Sequence, residues 1–275
     1  VFALGSQKLL PLFQNTYLNL SYTKGKLSSL KEVIKYLKLG SKKIHIHNQL
    51  NFQKFNTLVL NNINLIFDRQ KVNILNDVSL RINSGDKIGI IGPTGSGKSS
   101  LIEIIIGLLD PTEGEVLLNN VSLKNDFYKR KNWMKSISIV PQDLFIINDT
   151  LKANVAYGVK EGDIDYKKLY KSLRIAQLNY FLKSQSRGIN TVLSENGKNI
   201  SGGQRQRIAI ARAIYRDCQF LIFDEATSAL DKLTEKKIMD ELKNSYSDTT
   251  FLIVAHRHSA LEICNKVYEI KNGCL

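Results

Sequence analysis

Gly92-Pro93-Thr94-Gly95-Ser96-Gly97-Lys98-Ser99 fits the pattern G-x-x-x-x-G-K-[ST]. The apolar run Ile88–Ile91 precedes it, and a longer apolar run of helical length, Ser100–Leu109, follows. Strand, glycine-rich loop and helix in that order form a phosphate cradle. Small residues let the backbone curl until its N–H groups point at phosphate oxygens. The helix that follows adds the positive end of its dipole. On this reading Gly92, Pro93, Thr94, Gly95, Ser96, Gly97, Lys98, Ser99 and Ser100 wrap the phosphates of a nucleotide. Lys98 reaches the outer phosphates and the Ser99 hydroxyl ligates Mg²⁺. A bare strand-to-helix turn with an incidental Lys-Ser is the competing reading, and the agreement of motif with context argues against it.

A second stretch adds to the first. Phe220-Leu221-Ile222-Phe223-Asp224-Glu225 is an apolar strand ending in two acids. In an open α/β sheet, ligands bind at the carboxyl ends of the strands, so Asp224 is expected beside the phosphate loop, on Mg²⁺. Glu225 is then placed to take a proton from an attacking water. Such a pair is weak evidence alone, because two acids can simply open a loop. Beyond these motifs the pattern alternates. Strands are expected at Leu58–Phe67, Val78–Ile82, Val116–Leu118, Phe251–Val254 and Lys266–Ile270. Helices are expected at Gly203–Tyr215, Lys232–Asn244 and Ser259–Cys264, with residues 150–183 mainly helical. Strands alternating with helices predict an α/β fold with a mostly parallel sheet.

Ile200-Ser201-Gly202-Gly203-Gln204-Arg205-Gln206-Arg207 resembles the signature of ABC cassettes, with Ile200 where Leu is usual. Ser201-x-x-Gln204 is also a capping box, so a well-capped helix start is a compatible local reading. Other pieces follow in the family's order. Gln142 in Val140-Pro141-Gln142-Asp143 resembles the Q-loop glutamine. Ser228-Ala229-Leu230-Asp231 resembles the D-loop, although Asp231 also reads as a helix N-cap. His256 resembles the switch histidine. Phe67 occupies the place of the aromatic that stacks on adenine, where Tyr is more usual; strand core is its rival role, and stacking needs only the ring face.

The resemblance covers residues 55–275. It implies a P-loop NTPase (RecA-like) core with an antiparallel β subdomain and an α-helical subdomain. It also implies ATP and Mg²⁺ as ligands, with Ser99, Gln142 and Asp224 around the metal. Lys98, Gln142, Glu225 and His256 would act in catalysis. Ser201, Gly202, Gly203 and Gln204 would serve the ATP of a second cassette, in a dimer expected to be a homodimer. Thr191–Gly197 resembles the exporter X-loop but carries Leu193-Ser194 where Val-Gly is typical; Glu195 stays. The segment from Asp149-Thr150-Leu151 to Gly158 also resembles exporter cassettes.

Residues 1–39 differ in character. Leu10, Phe13, Tyr17, Leu20, Leu27, Leu30, Ile34 and Leu37 recur at helical spacing, the sign of an apolar stripe. Pro11 should start or kink that helix. Two readings stand: packing on its own domain, or extension from a missing membrane domain of the same chain. The segment is loosely similar to one in lipid-linked oligosaccharide flippases. Residues 40–54 are polar and read as a linker, in which His45 and His47 have no third ligand nearby.

Composition narrows the rest. The chain has 275 residues, 43% hydrophobic and 23% charged, with a formal net charge of +14. No apolar run reaches the roughly 18 residues of a membrane span; Leu101–Leu109 is short and carries Glu103. The lysines are dispersed, whereas a nucleic-acid footprint should cluster. Cys218, Cys264 and Cys274 have neither paired nor metal-like spacing. The start at Val1 suggests a piece of a longer half-transporter, with the cassette at the cytoplasmic face of the plasma (inner) membrane. The alternative is a soluble ABC ATPase acting on nucleic acid or ribosomes. Chromosome-maintenance types need a long coiled coil between the phosphate loop and the signature, which is absent here.

Overall fold

The computed structural model describes residues 2–40, 54–67, 72–124, 126–255 and 258–275. Two compact units emerge, Val1–Phe52 and Gln53–Leu275. The first holds one helix, α1 (Phe2–Gly40), which runs through Pro11 instead of starting there. Its apolar residues are less confined than the predicted stripe: Leu9, Leu12, Leu18, Tyr22, Val33 and Tyr36 are exposed along with it. Among the described residues no helix is long and apolar enough to cross a membrane. Most of the predicted linker, residues 41–53, including His45 and His47, lies outside the described residues.

The second unit is built on strands β1 (Thr57–Phe67), β2 (Val72–Asn83) and β3 (Lys87–Ile91), then helix α2 (Lys98–Ile106). Strands β4 (Glu113–Leu118) and β5 (Val121–Ser122), helix α3 (Phe127–Ser136) and strand β6 (Ile137–Val140) follow. A mainly helical part comes next: β7 (Asp149–Thr150), α4 (Leu151–Val155), α5 (Tyr166–Ile175), α6 (Asn179–Ser184) and β8 (Val192–Leu193). The chain then alternates through α7 (Gly202–Tyr215), β9 (Phe220–Asp224), α8 (Lys232–Ser245), β10 (Thr250–Val254), α9 (His258–Leu261) and β11 (Lys266–Glu269).

The main sheet has the order β11-β3-β10-β9-β6, and every pairing in it is parallel. Parallel strands need cover on both faces, and their side chains alternate between those faces. Leu221, Phe223, Phe251 and Ile253 enter the core that contains α5, α7 and α8 residues such as Leu173, Ile210 and Met239. Phe220, Ile222, Leu252 and Val254 enter the opposite core, with Leu101 and Ile105 of α2. In that second core Phe55, Trp133 and Phe220 bring their ring centroids within 5.3–5.7 Å. The antiparallel sheet, ordered β2-β1-β4-β5, supplies Leu58, Leu60, Leu75 and Leu80 to the same core.

Several elements differ from expectation: α3 and β6 were not expected, and α2 stops at Ile106, where Gly107 caps it, instead of reaching Leu109. Strand β2 begins at Val72, six residues before the predicted start, because pairing with β1 supplies partners as far as Phe67↔Val72. Its early part mixes apolar with polar residues, and bulges interrupt the β1–β2 pairing where Asn62 of β1 and Asp77 of β2 take positive φ (46° and 51°). The Asn62 Nδ2 donates to Asp77 Oδ1 at 2.6 Å across that stretch. Helix α9 stops at Leu261, not Cys264. The Cys264 N–H turns back to the Leu261 carbonyl at 2.9 Å, and the Asn265 N–H donates to the Lys87 carbonyl at 2.7 Å. The chain leaves the helix there to pair with β3.

One polar residue ties the start of the helical part to α7. Asn154 is fully buried. Its Oδ1 accepts from the Ile147 N–H at 3.0 Å, and its Nδ2 donates to the carbonyls of Ile147, Asp149 and Thr150 at 3.1–3.3 Å. Arg212 of α7 joins it, donating to the Asn154 and Phe145 carbonyls, each at 2.8 Å. Replacing Asn154 by Ala strands several buried donors and acceptors. We expect a stability loss of about 2–4 kcal/mol in chemical denaturation.

Candidate nucleotide site

Strand β3 is buried on both faces and ends at Ile91. The chain turns at Gly92, where a Cβ would collide with the backbone carbonyl of Ile270. Gly97 takes φ 106° and caps α2; a Cβ there would lie 2.8 Å from the Ile74 carbonyl oxygen. The loop is therefore clamped by backbone on its outer side, so glycine is required at both positions. Lys98 is buried, and its Nζ donates to the carbonyls of Gly92 at 2.9 Å and Pro93 at 2.8 Å. The ammonium thus lies over the loop that would hold the phosphates. Ser96 is also buried, and its Oγ has no hydrogen-bond partner among the described residues. A cavity of about 340 Å³ opens beside Pro93–Ser96, walled by Val72, Asn73 and Ile74 of β2 and by Asn272 and Gly273. Thr94 and Gly95 complete this rim; Ser99 and Ser100 follow Lys98 in the first turn of α2.

Sheet order assembles the rest. Strand β10 lies between β3 and β9, and β6 borders β9 on the other side. All four are parallel, so their carboxyl ends stand in a row. Asp224 closes β9 and is half-buried. Burial, and then the charge of Glu225, raise its carboxyl above the usual range; the nearby Lys98 ammonium pulls the other way. Lys98 and the two acids, more than 120 residues apart in sequence, therefore share one electrostatic site. Glu225 has φ 51°. Its N–H donates to the Val254 carbonyl at 2.9 Å, and its Oε2 accepts from Gln142 Nε2 at 3.0 Å. Register explains that last contact, since Val140 of β6 stands opposite Phe223 of β9 and both chains run two residues on.

The signature residues lie apart from this row. Ser201 caps α7: its Oγ accepts from the Gln204 N–H at 3.2 Å, and its N–H donates to Gln204 Oε1 at 2.9 Å. The predicted capping box is present. Among the described residues no hydrogen bond joins Ser201, Gly202, Gly203 or Gln204 to the phosphate loop; Gly203 packs instead against Ala229. Asp231 caps α8, accepting from the Thr234 N–H at 2.9 Å. That bond and its neighbours hold the carboxyl below its usual range. The X-loop region, Thr191–Gly197, pairs through β8 with β7, and the Asn196 N–H donates to the Ile146 carbonyl at 2.9 Å. His256 lies outside the described residues. Phe67 closes β1 opposite Val72, but its side chain lies outside the described residues too. Both of its candidate roles rest on sequence.

The donors suit Mg²⁺. Among the described residues no cluster of three His, Cys, Asp or Glu side chains is placed to hold a metal. Mg²⁺ usually takes one or two carboxylates together with substrate phosphates. The half-buried Asp224 carboxyl beside a second acid, with the Ser99 hydroxyl in the first turn of α2, fits that mode.

A family model described as ABC transporter matches residues 75–228, more than half of the chain. The chain belongs to the ABC transporter family. This ABC cassette is 39% identical over 217 residues to an ATP-dependent lipid A-core flippase of Cupriavidus metallidurans. That match covers 78% of the chain and 36% of the flippase. It is 35% identical to a protein of the same name from Wigglesworthia glossinidia brevipalpis, over 77% of the chain and 36% of the relative. A solved bacterial Atm1-family ABC exporter with ATP bound superposes with a TM-score of 0.77 at 28% identity, covering 90% of this chain and 43% of that one. The chain thus spans about a third of the length of the curated relatives it matches. Its fold is the ABC ATPase fold, and the cassette binds ATP.

One residue close to the site was not singled out from sequence. Gln206 lies within α7, yet all its side-chain hydrogen bonds go to the loop after β9. Nothing local in Gln204-Arg205-Gln206-Arg207 marks it, because its partners stand 19–23 residues downstream.

Proposed function

We propose that the cassette hydrolyses ATP with Mg²⁺ and powers the export or flipping of a lipid-like substrate by a longer protein. One observation carries this reading: Gln142 and Glu225 meet after the adjacent parallel strands β6 and β9, and Asp224 lies within reach of the Lys98 charge at the same edge of the sheet. ATP phosphates lie in the loop 92–99, with Lys98 leaving the carbonyls of Gly92 and Pro93 for phosphate oxygens. Ser99, Asp224 and Gln142 hold Mg²⁺, which supplies charge neutralisation on the phosphates. Glu225 accepts the proton of the attacking water, and Gln142 orients the Glu225 carboxylate. His256 holds the γ-phosphate and Phe67 stacks on adenine.

The signature turn, Ser201–Gln204, serves the ATP of a second cassette, with Asp231 at the same interface. Two ATP molecules then join two copies, and hydrolysis removes the contacts that favour the closed pair. The family and its flippase and exporter relatives support a membrane domain as partner, with the cassette on the cytoplasmic side. The exposed apolar residues of α1 are in keeping with a segment that approaches such a domain.

Asp224→Asn tests this reading. The half-buried carboxyl is raised in the folded chain, so stability is lost as pH rises from the ordinary carboxyl value through the raised one, and the loss is complete above it. The neutral amide should therefore raise the melting temperature of the nucleotide-free chain at pH 7 to 8. The same variant should lose Mg²⁺-dependent ATP turnover by roughly tenfold or more. Wild-type chain without Mg²⁺-dependent phosphate release would sink the proposal.

A further inference from the structure

Gln206 is 2% exposed. Its Oε1 accepts from the Ala229 N–H at 2.9 Å, and its Nε2 donates to Ser228 Oγ at 3.3 Å and to the Glu225 carbonyl at 3.4 Å. The amide orientation is settled by its partners. A backbone N–H can only donate and a carbonyl can only accept, so a flipped amide would lose both contacts. One side chain on α7 therefore grips both ends of the loop from Glu225 to Ala229.

That loop carries strain at a specific place. Glu225 has φ 51°, a left-handed conformation that a non-glycine residue keeps only when its surroundings enforce it. Its N–H is tied to the Val254 carbonyl and its carbonyl faces Gln206. The other side of the loop is packed: Ala226 and Thr227 are buried, and Gly203 has room for no Cβ without approaching the Ala229 carbonyl at 3.2 Å. The first turn of α7 and the loop that presents Glu225 are thus one mechanical piece.

We propose that Gln206 is a positioning residue that locks Glu225 in its left-handed conformation and couples the signature turn to it. The inference rests on the ATPase reading above. In an ATP-joined pair, Ser201 touches the partner's nucleotide while Glu225 serves the chain's own. Gln206 sits five residues after Ser201 on the same helix, so displacement of the α7 start on engaging the partner's ATP is passed to the Glu225 loop. One cassette then reports occupancy of one ATP site to the catalytic group of the other.

Gln206→Met tests this. Methionine matches the length of Gln and fills the same space, but it makes neither the donor nor the acceptor contacts. In the full chain without nucleotide, amide hydrogen exchange at Ala229 should accelerate roughly tenfold or more as its N–H loses its partner. Turnover should fall roughly tenfold, ATP affinity should stay within about twofold, and the ATP dependence of the rate should lose cooperativity. Ser228→Ala removes a single partner on an exposed residue and should lower kcat by only about twofold, without further loss when combined with Gln206→Met. Unchanged exchange at Ala229, or faster exchange with wild-type kcat and cooperativity, overturns the proposal. Loss of affinity in parallel with kcat also overturns it, since that marks a general structural role. Should Gln206→Met fail to fold, wild-type kcat and cooperativity in Ser228→Ala count against it. A wild-type chain without turnover overturns the ATPase reading and this coupling together; normal wild-type turnover with an unaltered Gln206→Met overturns the coupling alone.

Discussion

Glu225→Gln is expected to lower ATP turnover by roughly 10²- to 10⁴-fold, the usual contribution of a positioned general base. ATP binding should persist. The two side chains have the same shape, so the loop after β9 keeps its contacts: the Glu225 N–H on the Val254 carbonyl and the carbonyl facing Gln206. What changes is the acceptor. The carboxylate oxygen that Gln142 Nε2 approaches at 3.0 Å becomes part of a neutral amide with no useful basicity. Charge also falls beside Asp224, whose carboxyl is raised by burial and then by Glu225. Neutralising Glu225 removes the second of those causes, so Asp224 ionises more readily and the metal site is not weakened. ATP should therefore accumulate unhydrolysed, and with it the ATP-joined pair. Phosphate release measured beside light scattering with and without ATP separates the outcomes. Wild-type phosphate release in the variant would remove Glu225 from the role of base.

The contrast between Gln142–Glu225 and Gln206–Ala229 shows where sequence reasoning reaches and where it stops. Gln142 and Glu225 are 83 residues apart, yet each follows an apolar strand, and parallel pairing of those strands brings the ends together. The strand before Glu225 is a local and strong signal in the sequence; β6 before Gln142 is only four residues long, was not expected, and Gln142 was found through its resemblance to the Q-loop. Gln206 sits at an unremarkable interior position of a helix, and only packing α7 against the loop after β9 reveals its partners. Asn154 is similar, a polar residue in a helical pattern whose burial comes from Arg212 and the Phe145–Thr150 turn. The early part of β2 was missed for the same reason. Asn73, Asn76 and Asp77 look like loop residues, and β1 makes them strand by supplying a neighbour and a bulge. The parallel core, hydrophobic on both faces, announces itself in sequence. The antiparallel sheet, polar on one face, depends on its pairing.

Gly97→Ala should cost the cassette roughly 10²-fold in ATP affinity, and the reasoning separates two causes. The first is backbone conformation: φ 106° at Gly97 costs an alanine on the order of 1–3 kcal/mol. The second is collision. The new methyl group would lie 2.8 Å from the Ile74 carbonyl oxygen and 2.8 Å from Leu75 Cδ2. The Leu75 side chain could shift, but the Ile74 carbonyl is backbone, held between the paired residues Asn73 and Leu75 of β2. The loop must move instead, and it is the loop that aims N–H groups at phosphate and sets where Lys98 begins. At about tenfold per 1.4 kcal/mol, 3 kcal/mol of reorganisation is roughly 10² in affinity. Gly95 provides the internal control. Its φ of 80° carries a similar conformational cost, yet a Cβ there meets nothing within 4 Å. Gly95→Ala should therefore weaken binding less than Gly97→Ala, because it bears the conformational cost without the collision. Titration of both variants with a fluorescent ATP analogue measures the gap between them. Equal losses would mean that backbone conformation alone sets the requirement for glycine, and that the wall formed by Ile74 has no part in shaping the phosphate loop.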